Sequence, residues 1–196
     1  TFALILFASL IPYAFFSEVV GSSSSLILGN VNLVKKVKFP LELLPIVRLI
    51  TVLVQSLFSI AILGVVLLVT NNLHATFIFL PIIFLPLLFF SLGVSFFVSS
   101  LNVFIRDTQQ IVGVALTLLM FISPIFYPLA SIPEHLRKYI LLNPFSMIVE
   151  QFRAILVIGE MPNIASILVI WTISIAVLVL GFLWFKKTKS AFADVV

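Results

Sequence analysis

The feature that most constrains this chain is the length of its uncharged apolar segments. Residues 75–101 contain no charged side chain, and a helix of that length exceeds the roughly 20 apolar residues needed to cross the hydrocarbon core of a bilayer. Only 9% of all residues are charged and 62% are hydrophobic, whereas soluble domains carry about 25% charged residues. The sequence therefore predicts an all-α integral membrane protein.

Apolar segments of this kind predict five spans. They comprise residues 2–16, 49–70, 75–101, 111–127 and 164–185. The first run is shorter than a full crossing, and the chain opens with Thr1 rather than Met, without a charged leader. We therefore expect residues 1–196 to be a single transmembrane domain of a six-span helical bundle, with its amino-terminal part and first span missing here.

Residues 129–163 interrupt the pattern before the last span. Two short apolar runs meet at Asn143 and Pro144, and the second contains Glu150 and Arg153. Such breaks persist at membrane depth only where protein or a water-filled cavity covers them, so we predict re-entrant helices. The i, i+3 spacing of the two charged residues predicts an ordinary helix-surface pair of small energetic worth.

Basic residues indicate which end of the bundle faces the cytoplasm. Eight of the eleven fall on one side of the predicted topology. They are Lys35, Lys36, Lys38, Arg48, Arg106, Lys186, Lys187 and Lys189. By the positive-inside rule the carboxyl terminus is predicted to be cytoplasmic and the re-entrant region to lie at the outer side.

The sequence lacks the residues that several kinds of site require. There is no cysteine and no Gly-rich phosphate loop followed by Lys and Ser or Thr, so the chain is not expected to bind ATP itself. His74 and His135 lack partners at metal-ligand spacing; both are expected to be solvated, with no metal bound. Acid–base pairs are missing from the spans, which disfavours proton-coupled transport. We expect neither an enzyme nor a nucleic-acid surface.

Two charged groups allow an ordinary and a functional interpretation. Lys35, Lys36 and Lys38 could be anchors to anionic membrane lipid or part of a docking loop. Arg106 and Asp107 occupy a short polar turn, where Asp107 is expected to cap the following helix because its charge meets the positive end of the helix dipole.

Aromatic residues are abundant, with 21 Phe in the chain. Most are expected to face lipid or to form interfacial belts. Phe121, Phe126 and Tyr127 stand near the outer end of a predicted span, where aromatic faces could line a path for sugars.

Short motifs occur in a recognisable order along nearly the whole chain. They are NLVKKVKFP at 32–40, NVFIRD at 102–107, SPIFYP at 123–128, IP at 132–133, LNPF at 142–145, QFR at 151–153 and FAD at 192–194. In this order, and with these apolar lengths between them, the sequence closely resembles the polysaccharide and polyol-phosphate export permeases of type-2 ABC transporters.

The resemblance implies partners and site positions. It implies a homodimer of permease subunits with a separate nucleotide-binding ATPase subunit, which binds ATP and Mg, docked on each cytoplasmic face. Residues 21–42, with Lys35, Lys36, Lys38, Phe39 and Pro40, would be the cytoplasmic coupling loop. Arg106 and Asp107 would lie at a cytoplasmic helix start, and residues 129–163, with Asn143, Pro144, Glu150 and Arg153, at the outer mouth.

The resemblance also implies a cargo. The expected function is ATP-driven export of a lipid-linked polysaccharide, with O-antigen of lipopolysaccharide foremost, across the bacterial inner membrane. A teichoic acid or capsule exporter, a small-molecule or lipid efflux permease of the same architecture, and a glycosyltransferase accessory without transport remain alternatives.

Overall fold

The computed structural model describes residues 2–32 and 39–192, except for the side chain of Ala130. Within these ranges the regular structure is helical and contains no strand. The α-helices are α1 (Phe2–Ser23), α2 (Leu43–Val69), α3 (Leu80–Phe104), α4 (Thr108–Ile122), α5 (Glu134–Leu141), α6 (Pro144–Arg153) and α7 (Ile164–Thr188). A 3₁₀ segment, Ala75–Phe79, leads into α3, and a π-helical turn, Ala154–Ile158, continues α6. The predicted all-α fold class is confirmed.

Four helices among the described residues are long and apolar enough to cross a membrane. They are Phe2–Ser23, Leu43–Val69, Ala75–Phe104 and Ile164–Ala191, with 22, 27, 30 and 28 residues. A crossing needs about 20 residues, so each has the required length. The pair Glu134–Leu141 and Pro144–Ile158 is bent by 107° and has the composition of one broken span or of a re-entrant loop. The chain is a multi-pass membrane protein.

Helix α4 is shorter than the sequence predicted. It has 15 residues and a length of about 22 Å at 1.5 Å per residue, against about 30 Å of hydrocarbon. The predicted span continued to residue 127, but the helix ends at Ile122 because Pro124 disfavours helical backbone in the residue before it. Ser123 is accordingly extended, with φ −78° and ψ 148°.

Helix α1 is longer than its apolar run. The sequence predicted a loop from Gly21, yet the helix continues to Ser23. The hydroxyl of Ser22 donates to the carbonyl of Glu18, and that of Ser23 donates to the carbonyl of Val19. Serine hydroxyls that bond back to the preceding turn are satisfied within the helix, so the polar run does not end it.

Helices α3 and α7 run in the same direction and meet backbone to backbone at two glycines. A Cβ placed on Gly93 would lie 2.5 Å from the carbonyl oxygen of Val177, and one placed on Gly181 would lie 2.1 Å from that of Gly93. Small residues allow such close approach in membranes, where helices associate through packing rather than through the exclusion of water. Beyond the crossing, the rings of Phe96 and Phe185 pack with their centroids 5.3 Å apart.

Polar side-chain contacts hold one end of the bundle together. At one end the side-chain amide of Asn102 donates to the carbonyl of Ser24 over 2.6 Å, and Lys189 donates to both carboxylate oxygens of Glu42 at 2.8 Å. The first contact joins the carboxyl ends of α1 and α3, and the second joins the carboxyl end of α7 to the start of α2. We call this the basic end, because Arg48 and the lysines of the last turn of α7 also belong to it.

Substitution of Gly181 by Ala tests the α3–α7 crossing. The added methyl group has no room against the Gly93 backbone, so Gly181→Ala should lower the free energy of unfolding by about 1–3 kcal/mol. Gly113→Ala is the matched control, since a Cβ at Gly113 meets nothing within 4 Å. The measurement is the thermal midpoint in detergent by gel filtration; equal midpoints for the two variants would contradict this packing.

The Glu42–Lys189 contact predicts a pH dependence. Partial burial raises the pKa of Glu42, but the hydrogen bond from Lys189, a backbone hydrogen bond and the charges of Lys189 and Lys186 outweigh this, so the pKa lies below its ordinary value of 4.5. A lowered folded-state pKa stabilises the fold above the ordinary value, and the contribution is lost as the pH falls through the lowered one.

We expect Lys189→Gln to lower the thermal midpoint at neutral pH, by an amount that corresponds to less than about 1 kcal/mol because both side chains are partly exposed. The difference from the unaltered protein should shrink as the pH drops below 4.5. A difference that stays constant over this range would show that the carboxylate of Glu42 is not involved.

Candidate functional site

The bent helix pair presents two different surfaces. None of the residues of α5 is buried, whereas seven of the ten residues of α6 are. Pro144 occupies the first turn of α6, where its missing N–H costs nothing, and the Asn143 side chain accepts a hydrogen bond from the Phe145 N–H at 3.0 Å. This N-cap starts a new helix after the bend, so α6 enters the protein interior while α5 lies on its surface.

A buried arginine joins α6 to two other elements. Arg153 is only 2% exposed; its Nη1 donates to Glu150 Oε1 at 2.6 Å, and its Nη2 donates to Ser9 Oγ at 2.9 Å and to the carbonyl of Pro124. Ser9 lies on α1, and Pro124 follows the end of α4. We call these four residues the Arg153 cluster.

The sequence predicted this pair correctly but placed it wrongly on the helix surface. The i, i+3 contact between Glu150 and Arg153 exists, but it belongs to the buried face of α6. Phe145, Ile148 and Val149 are buried within the main apolar core, and this packing turns the helix so that Arg153 faces inward. Spacing along one helix does not reveal which face the rest of the protein covers.

The polar atoms around the cluster are not all satisfied. Arg153 Nε, Ser123 Oγ and Ser146 Oγ are buried and make no hydrogen bond to the described residues. Ser146, Glu150 and Arg153 share one face of α6 because they stand at i, i+4 and i+7. A buried polar group that has no partner at all costs about 1–3 kcal/mol, so these three atoms mark the positions around the cluster where a polar partner would be favourable.

The three aromatic residues singled out in the sequence meet at the end of α4, next to this cluster. The ring centroids of Phe121 and Phe126 are 6.1 Å apart, and both rings are exposed. The hydroxyl of Tyr127 donates to the carbonyls of Phe121 at 3.1 Å and Ile122 at 3.2 Å. Tyr127 thereby satisfies carbonyls at the helix end that have no partner within the helix and holds the two phenylalanines together.

A second contact holds the π-helical turn after α6. The hydroxyl of Thr76 donates to the carbonyl of Ile155 at 2.7 Å. Gly159 has φ +78°, and a Cβ there would lie 2.6 Å from the His74 ring. His74 was expected to be solvated but is half-buried against this glycine, whereas His135 is exposed as expected. Among the described residues no group of His, Cys, Asp or Glu has the arrangement of a metal site.

At the basic end the structure describes part of the predicted coupling loop. Lys35, Lys36 and Lys38 lie outside the described residues. Phe39 packs against a second, smaller group of buried apolar residues at this end, and Pro40 is exposed.

The polar turn between α3 and α4 corrects one expectation. Arg106 and Asp107 are both exposed, and Asp107 precedes the first residue of α4 as predicted. Its side chain, however, makes no capping hydrogen bond. The backbone carbonyl of Asp107 instead accepts from the N–H groups of Gln110 and Ile111, which leaves the carboxylate only its favourable position near the positive helix end.

Some site residues were not found from the sequence. Ser9 and the Pro124 carbonyl complete the Arg153 cluster, and Asn102 fastens the basic end. Ser9 interrupts the first apolar run and Asn102 stands just before the charged turn, so both were visible as isolated polar residues. Their partners are far away in the chain, and no spacing rule connects them.

Comparison with known proteins identifies the family. A family model described as ABC-2 type transporter matches residues 2–157, which is most of the chain. The chain belongs to the ABC-2 type transporter family. It is therefore a membrane transport subunit, and permeases of this family pair with nucleotide-binding ATPase subunits. The family-level resemblance seen in the sequence is confirmed.

Curated relatives of this ABC-2 permease extend over nearly its whole length. The O-antigen export system permease protein RfbA of Myxococcus xanthus is 27% identical over 196 residues, which cover 98% of this chain and 75% of the relative. A protein of the same name from Klebsiella pneumoniae is 27% identical over 197 residues, with 99% and 75% covered.

A double-mutant cycle tests whether Arg153 and Glu150 interact as a charge pair within the Arg153 cluster. Arg153→Gln and Glu150→Gln each leave one charge unpaired; the loss should be smaller than the ~3–5 kcal/mol of a fully buried pair, because Glu150 is 20% exposed. The double variant leaves no charge behind, so it should be less destabilised than the sum of the two single variants. Lys138→Gln on exposed α5 is the control and should be neutral; additive effects in thermal unfolding would contradict the pairing.

Proposed function

We propose that this permease exports a lipid-linked polysaccharide, with O-antigen as the first candidate, across the bacterial inner membrane. The observation that carries the proposal is the name shared by relatives that align with 98–99% of the chain. The ordered motifs support it. The ion pair between described long spans, Arg48 of α2 with Glu18 of α1, is partly exposed and lies toward the basic end, whereas a proton-coupled carrier keeps ionisable groups at membrane depth.

In this proposal two copies of the permease form the path and two ATPase subunits supply the energy. ATP and Mg bind to the ATPase subunits and not to the permease. The basic end faces the cytoplasm, in keeping with the positive-inside rule. Residues 21–42, with Lys35, Lys36, Lys38, Phe39 and Pro40, then contact the ATPase, and the turn with Arg106 and Asp107 lies at the same face.

The bent helix pair belongs to the outer mouth in this proposal. Residues 129–163 form the re-entrant region, and Asn143 and Pro144 make its bend. The Arg153 cluster ties this region to α1 and to the end of α4, so a movement of α1 or α4 would be transmitted directly to the mouth. The exposed rings of Phe121 and Phe126 beside it give the sugar path apolar faces on which sugar rings stack.

Deletion of the gene in its host tests the cargo. Export of a polysaccharide predicts that long-chain surface polymer disappears from gels and antibody staining while its lipid-linked precursor accumulates inside. A plasmid copy should restore the surface polymer. Which polymer is lost would separate O-antigen from teichoic acid or capsule. Unchanged surface polymer would overturn the proposal and favour efflux of a small molecule or lipid.

The aromatic path makes a separate prediction in the complemented strain. Phe121→Ala combined with Phe126→Ala should reduce surface polymer several-fold at equal permease abundance, because sugars lose their stacking faces. The control is Phe58→Ala combined with Phe7→Ala, which removes two exposed rings from α2 and α1. Equal reduction by both changes would assign the effect to general membrane packing.

A further inference from the structure

The glycine crossing of α3 and α7 leaves an open apolar groove on the membrane-facing surface. The groove has a volume of about 380 Å³, and its walls include Gly93, Val94, Leu180 and Gly181. It exists because glycine presents no side chain where the helices touch, while the neighbouring residues diverge. Among the described residues the groove is open along one side rather than enclosed.

Aromatic rings close the groove toward the basic end. Phe97 and Trp184 line it, with ring centroids 5.5 Å apart, and they are 42% and 40% exposed. Trp184 stands four residues before the end of α7. Tryptophan is enriched at this depth, where its ring meets the boundary between acyl chains and headgroups.

A lysine continues the groove beyond the tryptophan. Lys187 follows Trp184 by three residues on α7, which places it one turn farther along the same helix face. Lys187 is exposed and has no carboxylate partner among the described residues. Lys189, in contrast, binds Glu42. An apolar groove, an interfacial tryptophan and an unneutralised ammonium group therefore follow one another along α7.

We propose that the α3–α7 groove is a binding site for an anionic phospholipid of the bilayer. One acyl chain lies along Gly93 and Gly181, and the phosphate binds the ammonium group of Lys187. The lipid is resident rather than cargo, since the groove runs from the middle of α3 toward the basic end, whereas the exposed rings of Phe121 and Phe126 stand at the opposite end of α4. The site is independent of which polymer the permease exports.

Fluorescence quenching of Trp184 tests the site in the full chain. The protein carries Trp171→Phe, which leaves Trp184 as the only tryptophan and retains an aromatic ring beside Phe89. It is reconstituted into phosphatidylcholine vesicles that contain the same mole fraction of either dibrominated phosphatidylglycerol or dibrominated phosphatidylcholine. Bromine quenches tryptophan at short range, so a bound brominated lipid reports directly on occupancy of the groove.

The anionic lipid should quench Trp184 more strongly than the zwitterionic one at equal mole fraction. Lys187→Gln should remove this preference. The apparent affinity for the anionic lipid should fall about fivefold, which is the contribution of one basic residue near an anionic headgroup. Lys186→Gln makes the same change of charge one residue earlier and should keep the preference. Equal quenching by both lipids in the unsubstituted protein, or equal losses in the two lysine variants, would overturn the proposal.

Discussion

The structure depends on the requirement that backbone polar groups be satisfied inside the chain, because hydrocarbon offers them no partner. Helices meet this requirement within one segment, which is why the apolar sequence folds into long helices. The same surroundings give no hydrophobic reward for bringing helices together. Association then relies on close packing and on a few polar contacts. The Gly93–Gly181 crossing and the Arg153 cluster are the examples in this chain.

These two features are different kinds of contact between helices. The α3–α7 crossing joins two spans along their backbones and carries no polar side chain at the point of contact. The Arg153 cluster joins a bent helix to α1 and to the end of α4, with polar atoms left unpaired around it. A partly satisfied buried charge is a poor way to add stability. It does connect three elements, since one arginine contacts α6, α1 and the end of α4.

Much of the fold could be predicted from the sequence. Long uncharged segments specify membrane helices by length and composition alone, and proline with asparagine at residues 143–144 marked the bend. The exact end of α4 and the inward orientation of Arg153 could not be derived in this way. Both depend on contacts between distant segments: Ser9 is 144 residues from Arg153, and helical spacing defines a face without showing what covers it. The proposed coupling residues Lys35, Lys36 and Lys38 stay a prediction, since they lie outside the described residues.

In the proposed function, this permease and an ATPase partner move a polysaccharide carried on a lipid. The most direct measurement uses inverted membrane vesicles loaded on their outer surface with the host's lipid-linked polymer, whose exposure is read with a membrane-impermeant lectin. Addition of ATP should transfer the polymer into the vesicle lumen and protect it from the lectin, and omission of either subunit should abolish protection. Polymer that stays accessible to the lectin with both subunits and ATP present would contradict the account.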